Sequence, residues 1–161
     1  MNIHWICGFI NADGSFLLST YKKANSGEIC SISITITQHN KSIAVLEAIK
    51  NYFGYGSIYN NKKNISNYII RSIKLINNFI ESFAKAQLLG AKALDYKDFC
   101  KGVNIMNQKA YLTSEGFAYY KSIVAGMNST QTVFSIESNQ TTKPTQEKSK
   151  TAVAIVEEIN D

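Results

Sequence analysis

The stretch of this 161-residue chain with the most chemistry runs Trp5-Ile6-Cys7-Gly8-Phe9-Ile10-Asn11-Ala12-Asp13-Gly14-Ser15-Phe16. Its apolar residues recur at helical spacing until Asp13-Gly14, where the pattern stops. Gly8 costs such a helix about 1 kcal/mol relative to alanine, so something must offset it. Gly8 and Ala12 are four residues apart on one helix face, a small-xxx-small arrangement that lets a second backbone pack closely. Asp13 falls at the helix end, before Gly14, which is expected to take the left-handed C-cap conformation. A carboxylate there faces the negative pole of the helix dipole. Two such helices side by side would bring two carboxylates together, and a divalent cation between them would relieve the repulsion. Mg²⁺ suits hard oxygen ligands of this kind. The same residues also suit a plain amphipathic helix that ends in an ordinary Asp-Gly turn.

The elements around this stretch alternate between two hydrophobic periods. Residues 15–23 read as a strand, Ala24 to Gly27 as a hairpin turn, and 29–38 as a second strand in which Ile32, Ile34 and Ile36 alternate with Ser31, Ser33, Thr35 and Thr37. Asn40 is the expected N-cap of a helix over 41–53, which Gly54-Tyr55-Gly56 ends. A second hairpin follows, from Ser57 to Asn60 and from Ile65 to Ser72 around a polar Asn-Lys-Lys-Asn turn. Helical patterns then occupy about 74–86, 92–106 and 113–126. Hairpins and helices segregated in this order predict an α+β domain with helices covering one face of an antiparallel sheet. From residue 129 the composition shifts to Ser, Thr, Gln, Lys and Glu. Residues 1–128 are therefore expected to form the domain and 129–161 a polar flexible tail, with a short helix over 151–159.

Residues 1–128 carry a net charge of +7 and residues 129–161 a net of −2. A basic domain of this kind favours a polyanionic partner such as nucleic acid. Three dispersed cysteines and two histidines, His4 and His39, give neither a disulfide framework nor a tetrahedral zinc site, and point to a reducing compartment. His39 reads as a strand-end or capping side chain. No apolar run approaches the roughly 20 residues of a bilayer span, and the first residues have neither a basic n-region nor an Arg/Ser-rich leader. No membrane association, secretion or cleaved transit peptide is expected.

Ile6 to Gly14 resembles the LAGLIDADG motif, with Gly8, Ala12, Asp13 and Gly14 at matching positions and apolar residues at Ile6, Phe9 and Ile10. The element order αββαββα is likewise that of LAGLIDADG homing endonuclease domains. Ile36 to Lys41, Gly54-Tyr55-Gly56, Leu88 to Lys92, Asp95 to Cys100 and Leu112 to Gly116 are similar to the fungal organellar intron-encoded members, especially the C-terminal half of two-motif enzymes. The resemblance covers about residues 3–128. It implies a saddle-like antiparallel sheet with accessory C-terminal helices, and hydrolysis of double-stranded DNA at a long intron-insertion site. It also implies a metal, Mg²⁺ or alternatively Mn²⁺, held by Asp13 and the Ala12 carbonyl. Gln38 matches the polar residue that orients active-site water, and Lys92 the basic residue that stabilises the scissile phosphate. The motif's first acid is replaced by Asn11, at a position that is structural in the family rather than a metal ligand. An organellar, mitochondrial setting follows from the same likeness.

In this reading one parity of the hairpins faces DNA as a two-stranded ribbon of the kind that fits the major groove. Counting from Asp13, that face carries Ser15, Leu17, Ser19, Tyr21 and Lys23, then Ser31, Ser33, Thr35 and Thr37, then Ser57, Tyr59 and Asn61, and finally Asn67, Ile69 and Arg71. Lys22, Lys62 and Lys63 at the turns are suited to phosphates. The face would also serve as an ordinary solvated sheet surface. One motif supplies half of a two-carboxylate site, so the chain is expected to pair through Trp5, Gly8, Phe9 and Ala12, either with a second copy or with a second LAGLIDADG half. A splicing maturase that binds intron RNA, with reduced or no nuclease activity, is the alternative function for the same fold.

Overall fold

A computed structural model of the chain describes the backbone of residues 1–141 and the side chains of residues 1–127. Met1–Ala125 form one compact unit, and the described residues from Gly126 to Thr141 belong to a second. The first unit opens with α1 (Ile3–Asp13), β1 (Gly14–Lys23) and β2 (Gly27–His39). After a 3₁₀ turn at Asn40–Ser42 come α2 (Ile43–Phe53), β3 (Ser57–Asn60), β4 (Ile65–Ile70) and α3 (Ile73–Phe83), which complete the αββαββα order. The accessory helices are α4 (Gly90–Asn107) and α5 (Ser114–Thr141), with a second short 3₁₀ turn at Ala110–Leu112 between them.

The four strands form one antiparallel sheet in the order β1-β2-β4-β3. Period-2 alternation sends Phe16, Leu18, Ile32, Ile34, Ile36, Tyr68 and Ile70 to one face, where all are buried. The helices cover that face with Ile6 and Ile10 of α1, Leu46 and Ile49 of α2, Ile76, Phe79 and Phe83 of α3, and Phe99 and Val103 of α4. An aromatic chain ties these layers together, with ring centres 5.2 Å apart for Phe53–Phe79, 4.9 Å for Phe79–Phe83, 5.6 Å for Phe83–Tyr96 and 5.0 Å for Tyr96–Phe16. Gly102 lets α4 approach β1, since a Cβ there would stand 2.5 Å from a Leu18 methyl. Buried Tyr120 of α5 donates its hydroxyl to the Ser31 carbonyl at 2.6 Å.

Three local expectations need correction. Asn40 does not cap α2; its side-chain oxygen lies 2.5 Å from the Ser66 hydroxyl on β4. His39 caps the 3₁₀ turn instead, its Nδ1 accepting from the Lys41 N–H at 3.1 Å. Gly14 is not left-handed: its φ of −85° and ψ of 157° are extended, because the chain enters β1 directly. What requires glycine is space, since a Cβ at Gly14 would stand 2.6 Å from Ile10 Cγ2 and 2.7 Å from the Ile10 carbonyl oxygen. Finally, α5 opens where Thr113 accepts from the Gly116 N–H at 3.0 Å, but it continues to Thr141, past its expected end at about residue 126. The helix expected over 151–159 lies outside the described residues.

Gly14 and Gly8 therefore predict opposite outcomes. Gly14→Ala overpacks the turn against Ile10 and should cost about 1–3 kcal/mol. A Cβ on Gly8 meets nothing within 4 Å among the described residues, so Gly8→Ala should stabilise a single copy by about 0.5–1 kcal/mol through helix propensity. Urea unfolding at dilute concentration checks both; a Gly14→Ala variant as stable as the parent would contradict the steric reading.

Candidate active site and nucleic-acid interface

Asp13 is the last residue of α1 and is exposed. Its surroundings follow from strand register. Gly14 pairs with Ile36, so the start of β1 lies beside the end of β2. Two residues past Ile36, Gln38 reaches back to the helix end, and its Nε2 donates to Asp13 Oδ2 at 2.8 Å. From the first turns of α4, Lys92 donates its Nζ to the Gly14 carbonyl, the next peptide after Asp13. Three candidates far apart in sequence thus meet at one junction of helix and sheet. Asp95, one turn beyond Lys92, has its carboxyl raised above the ordinary range by burial, with the Lys92 ammonium pulling it back.

The donor set at this junction is one of hard oxygens. The Asp13 carboxylate is joined by the last carbonyls of α1, among them that of exposed Ala12, which have no intrahelical N–H partners. Oxygen ligands of this type fit a divalent cation such as Mg²⁺. Among the described residues no three His, Cys, Asp or Glu side chains are grouped to hold a metal.

The residues of the expected pairing surface lie on the outer face of α1. Trp5 is 48% exposed and stacks on Phe9 with ring centres 5.3 Å apart at an angle of 12°. Gly8 and Ala12 beside them are exposed. An apolar strip with small residues at its centre is left uncovered among the described residues.

On the sheet, pairing places the expected reading residues in common rows on the face opposite the core. Ser15, Thr35, Ile69 and Ser57 form one row; Thr37, Asn67 and Tyr59 form another; Leu17 pairs with Ser33, Ser19 with Ser31, and Tyr21 with Ile29. Within the second row Thr37 donates its hydroxyl to Asn67 Oδ1 at 2.6 Å, which fixes the amide and leaves its NH₂ as the donor end. The Arg71 guanidinium lies over the Tyr59 ring, 5.8 Å from its centre, at the outer edge of the sheet. Lys23 ends β1 at the hairpin tip. Two residues differ from expectation. Ser33 is only 9% exposed, shaded in the middle of its row. Asn61 lies beyond β3, and its side-chain oxygen accepts from the Lys63 and Ile65 N–H groups at 2.9 and 3.0 Å, so it builds the turn. Asn11, given a structural position by the motif, has a partner the sequence did not indicate: its Oδ1 accepts from the Leu89 N–H at 3.0 Å. Only its departure from an acid in the motif marked it.

Comparison with known proteins agrees with this fold. The family model for LAGLIDADG endonuclease matches residues 6–103. A Neurospora crassa protein named "Probable intron-encoded endonuclease 3" is 33% identical over 118 residues, 70% of this chain and 22% of that protein. Among solved structures, the homing endonuclease I-TnaI superposes with a TM-score of 0.75 at 27% identity, covering 80% of this chain and 88% of that one. I-SmaMI bound to uncleaved DNA target in the presence of calcium ions superposes with a TM-score of 0.75 at 30% identity, covering 79% of this chain and 45% of that one. The chain thus spans about a fifth of the Neurospora relative and less than half of I-SmaMI. With the motif, the strand order and the family match in agreement, the chain belongs to the LAGLIDADG endonuclease family.

Proposed function

We propose that this chain is one catalytic half of a homing endonuclease that makes metal-dependent double-strand breaks at a long intron-insertion site, in a mitochondrial genetic setting. The observation that carries the proposal is the junction where Gln38 holds the Asp13 carboxylate and Lys92 holds the adjoining Gly14 carbonyl, at the end of a sheet whose outer face is hydroxyl- and amide-rich. Duplex DNA fits this face better than intron RNA does, because the major groove of an RNA helix is too deep and narrow for side chains to read. The maturase alternative is therefore not favoured.

In this reading Asp13 and the Ala12 carbonyl hold Mg²⁺, for which Mn²⁺ can substitute. When bound, the metal supplies polarisation of the phosphodiester and a lowered pKa for attacking water. Gln38 fixes the Asp13 carboxylate and presents its amide to water, while the Lys92 ammonium lies where a phosphate oxygen at the helix end would be neutralised. Ser15, Thr35, Thr37, Asn67 and Tyr59 meet base edges, and Lys22, Lys62 and Lys63 meet phosphates. The second carboxylate comes from a partner packed on Trp5, Gly8, Phe9 and Ala12. The near-complete coverage of I-TnaI supports a second copy, and the half coverage of I-SmaMI supports a second LAGLIDADG half.

Asp13→Asn should abolish Mg²⁺-dependent cleavage of a library-selected site while duplex binding at low salt persists. Cleavage by that variant would remove Asp13 from the metal site. The logarithm of the binding constant should fall linearly with the logarithm of salt concentration, and Lys62→Ala should reduce that slope by about one per bound copy; an unchanged slope would take Lys62 off the backbone. In sedimentation, addition of an intact site should shift the chain to a two-copy complex, and Gly8→Leu should prevent the shift without unfolding the monomer. A chain that stays monomeric on DNA and cuts only with a different second half would reject the homodimer.

A further inference from the structure

Asn11 stands in the middle of a ladder of three hydrogen bonds that joins α1 to the segment leading into α4. The Cys7 thiol donates to the Gln87 carbonyl at 3.2 Å, Asn11 Oδ1 accepts from the Leu89 N–H at 3.0 Å, and Lys92 Nζ donates to the Gly14 carbonyl. Residues 7 and 11 lie on one stripe of the helix at a spacing of four, Gly14 follows as the first residue of β1, and their partners 87, 89 and 92 climb in the same direction. This stripe differs from the outward strip of Trp5, Gly8 and Ala12.

The middle rung matters because it is a directional bond that meets the chain immediately before α4, ahead of Tyr96, whose ring packs on Phe16 and Phe83. Leu89 occupies the N-cap position with extended backbone, φ −122° and ψ 155°, and no side chain caps the helix. The Leu89 side chain is 67% exposed. Gly90 follows with φ +59°, a left-handed bend two residues before Lys92. Buried Leu88 anchors the segment in the core, but apolar contact is non-directional and does not fix the helix's rotation or rise. A directional bond at Leu89 does.

We infer that Asn11 is a positioning residue: through the Leu89 N–H it sets the start of α4, and thereby Lys92, against the catalytic end of α1. An asparagine gives the acceptor without adding a second negative charge two residues from Asp13, on a helix end that is already electronegative. This inference rests on the endonuclease reading for the role of Lys92, but the ladder itself does not.

Asn11→Leu keeps the volume and deletes the acceptor; Asn11→Asp keeps the acceptor. Asn11→Leu should slow single-turnover cleavage about tenfold to a hundredfold at unchanged DNA affinity, and Asn11→Asp should restore it to within a few-fold. In a Lys92→Ala background Asn11→Leu should have no further effect, whereas a merely structural role would give additive losses. An activity-independent readout is the NMR spectrum of the chain with its lysines ¹³C-dimethylated: Asn11→Leu should move the Lys92 signal and leave Lys97 and Lys101 in place, with faster hydrogen exchange at the Leu89 amide. Additive cleavage losses, or an unmoved Lys92 signal, would overturn the inference. Should Asn11→Leu fail to fold, Asn11→Ala carries the same tests. If the parent chain cuts no DNA, the endonuclease reading fails while the NMR signals still decide the ladder.

Discussion

Much of the molecule depends on the peptide that leaves α1 and enters β1 without a loop. A helix that passes straight into a strand brings the last helical turn hard against the first strand residue, and at Gly14 the space left beside Ile10 admits no Cβ. That closeness makes Asp13 a rigid continuation of two elements at once. Pairing of Gly14 with Ile36 then carries the end of β2 to the same point, so the candidate-site end of the domain is set by the register of the first hairpin. A one-residue slip there would exchange the isoleucine face for the hydroxyl face and take Gln38 away from Asp13.

Much of this was legible in the sequence, because the signals are local and periodic. The isoleucine alternation in 32–36 fixed the core face of β2, and the polar residues between them fixed the opposite face. Gly54, with φ +78°, stops α2 as a helix-ending glycine should. What failed was of two kinds. Where a residue has a good local option and a better distant one, the distant one won: Asn40 had the composition of a cap but lies against Ser66, 26 positions away. Where accessibility depends on neighbours rather than on parity, parity alone misled, as at Ser33, which its row shades.

The candidate site divides in the same way. Asp13 is visible because the motif is contiguous, and Gln38 because a strand end is countable. The contact of Asn11 with Leu89 spans 78 positions and couples a side chain to a backbone amide, an interaction with no compositional trace at the second partner. The Gly14 conformation was misjudged for a related reason. An Asp-Gly pair at a helix end usually marks a left-handed cap, and only the proximity of the first strand reveals that here the glycine serves clearance rather than rotation.

The eleven residues of α1 serve three neighbours at once: the core takes Ile6 and Ile10, the α4 segment takes Cys7 and Asn11, and Trp5, Gly8 and Ala12 face outward. With 3.6 residues per turn, that division leaves the helix almost no neutral position. On the strands the odd-numbered side chains hold up little of the interior and are replaceable one at a time. Evolutionary change in what such a protein recognises is thus channelled onto the sheet, while the helix is held nearly fixed by the number of duties assigned to each turn.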